Sequence, residues 1–123
     1  MEKKQQFKSI RPFIGAKKFE ESRNFYTELG FSETILSDNM SVFKVDEKLS
    51  FYLQKAYVKD WVDNSMLFLE VDDLEEYLST LKLKKLTEKF PKVKLSSIVK
   101  NDWGKEFFLH DPSGILWHIG CFY

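Results

Sequence analysis

A single cysteine, Cys121, in 123 residues excludes an intramolecular disulfide. It stands in an apolar strand pattern, which suits a small core residue better than a nucleophile. Net charge is missing too. Lys plus Arg and Asp plus Glu both number 19. A nucleic-acid partner would favour a basic stripe, and the N-terminal cations Lys3, Lys4, Lys8 and Arg11 read mostly as a solvated tail. No apolar run approaches the roughly 20 residues of a membrane span. The opening MEKKQQFK lacks the apolar centre of a signal peptide, so a cytoplasmic location is expected. Neither a nucleic-acid nor a membrane partner is expected. Rings, by contrast, are abundant: twelve Phe, five Tyr and three Trp exceed what a small core needs. Some of them are expected in a cavity or an interface.

The order of elements is read from periodicity. The length gives one domain, 1–123. Ser9–Ala16 predicts a strand, placed at an edge or a break because Pro12 donates no hydrogen bond. Lys18–Leu29 predicts a helix with Phe19, Ser22, Tyr26 and Leu29 near one face and Gly30 as its stop. Strands follow at 31–37, 41–45 and 49–54. After the connector 57–64, the order repeats. Ser65–Val71 predicts a strand, and Asp72–Asp73 an N-cap. Leu74, Tyr77, Leu78 and Leu81 mark a helix face. Strands are predicted at 93–99, 103–110 and 115–122. Two βαβββ modules, about 8–56 and 65–123, thus predict an α+β fold. Their strands are expected to join in one curved mixed sheet with helices outside and a ligand cavity on the concave face.

Three stretches resemble a known superfamily. They are PFIGAKKF with FYTELGF, VDNSMLFLEVDDLEEY, and WGKEFFLHDPSGILWH. In this order they resemble the vicinal oxygen chelate proteins: glyoxalase I, extradiol dioxygenases, and fosfomycin- and bleomycin-resistance proteins. The resemblance runs from about Ile10 to Tyr123. It implies metal-ligand places at Arg11, Met66 and, on the last strand, His118. A guanidinium repels a metal and a thioether is a poor ligand for hard divalent ions, so no catalytic metal and no cofactor are expected. Trp103, Gly104, Glu106, Phe107, Asp111, Pro112, Gly114 and His118 match the ending of the bleomycin-resistance branch, as does Pro12 on the first strand.

That branch implies a non-enzymatic dimer that sequesters a flat, cationic antibiotic in crevices between subunits. It also implies exchange of the N-terminal strand. Candidate ligand-binding residues are Arg11, Phe13, Phe43, Tyr52, Trp61, Asp63, Phe68, Asp102, Trp103, Glu106 and His118. Rings would stack on heterocycles and carboxylates would meet cations. Large apolar side chains such as Phe43, Tyr52 and Phe68 are more often ordinary core. Trp117 alternates with His118, so if His118 faces the cavity, Trp117 is core. His118 either binds a ligand or satisfies a buried carbonyl. Arg11 favours an anionic or neutral aromatic ligand over a cation. The alternatives are a binder of an unknown metabolite or a glyoxalase- or dioxygenase-like enzyme. A metal-free enzyme using His118 or Glu106 as a base is a further alternative.

Overall fold

The computed structural model describes residues 4–123; Lys3 lies outside them. Module one comprises β1 (Phe13–Gly15), α1 (Phe19–Leu29), β2 (Ser32–Ser37), β3 (Met40–Asp46) and β4 (Leu49–Gln54). A short helix, α2 (Lys59–Asp63), occupies the connector. Module two comprises β5 (Met66–Glu70), α3 (Leu74–Leu83), α4 (Leu86–Lys89), β6 (Lys94–Leu95), β7 (Val99–Lys100), β8 (Gly104–His110) and β9 (Leu116–Phe122). Among the described residues no helix is long and apolar enough to cross a membrane.

The repeat is real at the level of topology. Module one has the strand order β1-β4-β3-β2, with β1 parallel to β4. Module two has β5-β9-β8-β6, with β5 parallel to β9 and β7 also on β8. The strand expected over 93–99 is therefore broken into β6 and β7 along one neighbour. The strand expected over 9–16 shrinks to three residues. Its ladder contact reaches Pro12 only through the carbonyl, which accepts from Tyr52 N–H at 2.9 Å.

The fold is α+β as expected, but the single continuous sheet is corrected: among the described residues the ladders form two sheets, of four and five strands. The outer strands β1 and β5 share no ladder, and a groove bordered by Ile10, Pro12, Met66 and Phe68 lies between the sheets. Side chains join the halves instead. The helix faces follow the sequence period. Phe19, Ser22, Phe25, Tyr26 and Leu29 of α1 are buried, as are Leu74, Leu78 and Leu81 of α3. Gly30 ends α1 at φ 112°, and the Asp73 carboxylate caps α3 by accepting from Glu76 N–H. Tyr26 packs on Phe43 and Phe51 of the first sheet and on Trp117 of the second. Its hydroxyl donates to Asp111 Oδ2 at 2.7 Å and accepts from Trp117 Nε1 at 3.0 Å. The DPSG turn is tied to the same knot, because Asp111 Oδ1 accepts from the amides of Ser113, Gly114 and Ile115.

Candidate functional site

Strand alternation sorts the candidates into two faces. In β3, β4, β8 and β9 the core residues Phe43, Phe51, Leu53, Phe107, Leu109, Trp117 and Ile119 point toward the helices. Phe43 is therefore corrected: it is fully buried against Tyr26 and Phe51 and cannot meet a ligand. Trp117 is buried and His118 faces the other way, as the alternation predicts. Cys121 is half-buried beside Lys105 in the ladder.

The helix-free face of the second sheet carries a cluster of exposed rings. Phe68 lies 5.7 Å from Trp103 and 5.9 Å from Phe122, and Trp103 lies 5.1 Å from Phe122, all between ring centroids. Their exposures of 46, 37 and 58% show rings in contact with each other and with solvent. Gly120 makes room for this packing, since a Cβ there would come within 3.0 Å of Phe68 Cζ.

Beside the rings sits a polar pair. His118 Nδ1 lies 2.8 Å from Glu106 Oε1, and Asn101 Nδ2 donates to Glu106 Oε2 at 2.8 Å. Toward an ionised Glu106, which only accepts, His118 Nδ1 is the donor. Nε2 is buried and, among the described residues, has no hydrogen-bond partner. His118 stands across from Phe68 on one side and from Phe108 on the other, whose ring meets it edge-on at 5.2 Å. Glu106 thus pairs with a histidine.

The first sheet presents a smaller cluster. Phe13 stacks on Tyr52 with centroids 4.6 Å apart. The Arg11 guanidinium lies 5.8 Å from the Tyr52 centroid and donates to its hydroxyl at 3.1 Å. Trp61 lies over Gly15, on the side of β1 that carries Phe13. Asp63 is placed elsewhere. It pairs with Lys59 at 2.9 Å and sits by Gly114 at the DPSG turn. Asp102 is exposed in the bend before β8.

A groove of about 700 Å³ separates the two sheets. It follows the unpaired edge of β5, so Met66 and Phe68 from one face and Leu67 and Leu69 from the other all line it. Phe51 and Trp117 also line it, with Ile10 and Pro12 of the N-terminal segment. Glu70 and Asp72 supply carboxylates. Of the sequence candidates, Phe68 alone borders this groove; Arg11 and Phe13 flank its Pro12 wall. Asn101, Phe108, Phe122 and Glu70 join the site without having stood out in the sequence. Alternation from His118 to Gly120 to Phe122 was the available signal for Phe122.

The metal held by enzymes of the resembled superfamily does not fit these residues. Arg11 is committed to Tyr52, Met66 offers only a thioether, and His118 already gives one nitrogen to Glu106. Among the described residues no three His, Cys, Asp or Glu side chains converge.

No family model matches the chain, and no curated protein matches it. Solved structures do. A glyoxalase/bleomycin resistance protein from Catenulispora acidiphila superposes with a TM-score of 0.73 at 17% identity, covering 94% of this chain and 98% of that one. The bleomycin-binding protein of Streptomyces verticillus, solved with copper(II)-bleomycin, gives 0.73 at 16%, covering 98% and 100%. An antibiotic-binding protein from a Streptomyces species gives 0.73 at 16%, also covering 98% and 100%. Superposition over nearly the whole chain on these structures, with the module topology above, shows that this chain has the glyoxalase/bleomycin-resistance fold.

Proposed function

We propose that the protein binds a flat aromatic antibiotic or a related small molecule, in the manner of the bleomycin-resistance type, without a metal and without chemistry. The observation that carries this reading is the exposed Phe68–Trp103–Phe122 cluster beside Glu106–His118. Clustered exposed rings are costly to leave in water, and they suit stacking on planar heterocycles. Glu70 and Asp72 in the groove supply negative charge for a cationic ligand.

The binding unit is a homodimer. All five residues of β5 are at least partly exposed, although four of them are apolar, and one edge of the strand has no ladder. Phe7 and Ile10 are both 96% exposed on the N-terminal segment. A second copy covering β5 with that segment would bury both sets and close the groove into a crevice.

A thermal-shift screen with bleomycin, phleomycin and divalent metals tests the proposal. A ligand at 100 times its Kd adds about 2.7 kcal/mol, or roughly 10 °C in Tm for a chain of this size. Trp103→Ala is expected to remove at least half of the drug shift while leaving the unliganded Tm within about 3 °C, because Trp103 is exposed and lies outside β5. A shift with nickel, zinc or manganese and none with drug would sink the proposal. Size-exclusion chromatography with light scattering should return twice the chain mass.

The Glu106–His118 pair favours one second reading, proton abstraction by Nε2 from a bound substrate. His118→Gln separates the two: under this reading turnover is lost while ligand affinity stays.

A further inference from the structure

A second cleft, of about 470 Å³, lies at the DPSG turn and shares no lining residue with the groove between the sheets. Lys17, Lys92, Lys94 and His110 surround it, with Tyr57 and Ser113 in its wall. These residues come from four separate parts of the chain. Lys17 precedes α1, Tyr57 precedes α2, Lys92 leads into β6 and Lys94 opens it, and His110 ends β8. The fold gathers them: Lys94 stands opposite His110 in the β6–β8 ladder, and Lys17 N–H donates to Ser113 Oγ at 2.9 Å. The Lys17 ammonium lies 5.5 Å from the Tyr57 centroid.

The charge in this cleft is predominantly positive, with Asp111 the one carboxylate in its lining. Among the described residues Lys17, Lys92 and Lys94 enter no ion pair. Two acids lie nearby, and neither is free. Asp111 is buried with both oxygens committed, Oδ1 to three backbone amides and Oδ2 to Tyr26. Asp63 is held by Lys59. Three exposed lysines outnumber the one carboxylate around this concavity, so a bound anion would relieve their mutual repulsion. Burial, with Lys94 as the second cause, holds His110 below the ordinary imidazole range, so at neutral pH it contributes an uncharged N–H donor.

We propose that this cleft is a second ligand site, specific for a small organic anion that carries a ring: an aryl phosphate or a nucleotide-like phosphate ester. The lysines and Ser113 take the phosphate oxygens. Tyr57 takes the ring, in the place Lys17 now occupies over it. The size is right for such a ligand, since sites of this kind run from roughly 300 to 1,000 Å³. The site is independent of the antibiotic-binding proposal and stands if that proposal fails.

Three probes test it by amide chemical-shift titration at low salt. These are 4-nitrophenyl phosphate, inorganic phosphate for the anion alone, and 4-nitrophenol for the ring alone. Saturable shifts are expected for 4-nitrophenyl phosphate, centred on Lys17, Lys94, His110, Ser113 and Gly114. Its Kd is expected to be about tenfold below that of inorganic phosphate. 4-Nitrophenol should leave those amides unmoved. The Lys92→Gln/Lys94→Gln double variant, exposed and folded, should weaken binding by about tenfold or more. Lys48→Gln, which removes an exposed charge from a distant turn, should change nothing. Shifts that fail to saturate, that map to the Phe68–Trp103 face, or that weaken equally in the Lys48 variant would overturn the assignment.

Discussion

Asp111→Ala is expected to cost about 4 kcal/mol of folding stability, the largest loss from any single polar side chain in this chain. The carboxylate is fully buried and serves four donors. Removal leaves the Ile115 amide and the Tyr26 hydroxyl without acceptors in the core, at about 1–3 kcal/mol each. The Ser113 and Gly114 amides sit nearer the surface, where water replaces part of what is lost. Urea denaturation reads the result, and a loss under about 2 kcal/mol would show that the network is dispensable.

The same residue gives stability a pH dependence of definite sign. Burial raises the Asp111 pKa from 3.8 to about 6, against the opposing hydrogen bonds from Tyr26 and the turn amides. The folded state therefore holds its proton more tightly than the unfolded chain does. The contribution is fully present below about pH 4 and is lost as pH rises through about 6. Its full size is about 3 kcal/mol. Asp111→Asn keeps an acceptor for the turn amides and cannot titrate. The difference in stability between native protein and Asp111→Asn should therefore shift in favour of the native protein as pH falls from 7 to 4. Other carboxylates titrate alike in both proteins and cancel. A pH-independent difference would refute the assignment.

This network also marks the limit of what was legible in the sequence. Both long helices announced themselves through their 3.6-residue period, and the buried faces of α1 and α3 carry the residues that the period names. The Trp117/His118 alternation placed one ring in the core and the other on the open face. Such signals are local. Tyr26 and Asp111 are 85 residues apart, and nothing in either neighbourhood announces the bond between them. Phe43 failed for a related reason. Alternation says that Phe43 and Val42 face opposite ways but not which way is inward, and only the docking of Tyr26 decides it. The shortened β1, the broken β6–β7 and the separation into two sheets depend on whether edges find partners. The helix in the connector escaped notice because five residues are too few to show a period.

Because the two sheets share no ladder, the rings between them carry the connection, and Trp117→Ala should expose this. Trp117 lies 5.4 Å from Phe51, 6.0 Å from Tyr26 and 6.0 Å from Phe31, and its Nε1 supplies the hydrogen bond to Tyr26. Truncating a buried Trp costs about 3–5 kcal/mol, a large share of the roughly 5–15 kcal/mol that holds a domain together. Phe51→Ala should cost about 3–4 kcal/mol. If the contact between these rings joins the halves, the double variant should fall short of additivity by about 1 kcal/mol. Full additivity, or a Trp117→Ala loss below about 1.5 kcal/mol, would mean that the halves are held elsewhere. The binding reading is exposed to the same variant. Phe51 and Trp117 line the groove that runs beside Met66 and Phe68. Loss of the indole enlarges that groove at the seam between the modules, so a drug that reaches from Phe68 into it should lose affinity as well. Trp117→Phe separates the two roles of the residue. It keeps a ring in the seam but gives up the donor to Tyr26, so it should recover most of the drug shift while leaving a stability deficit of about 1–2 kcal/mol.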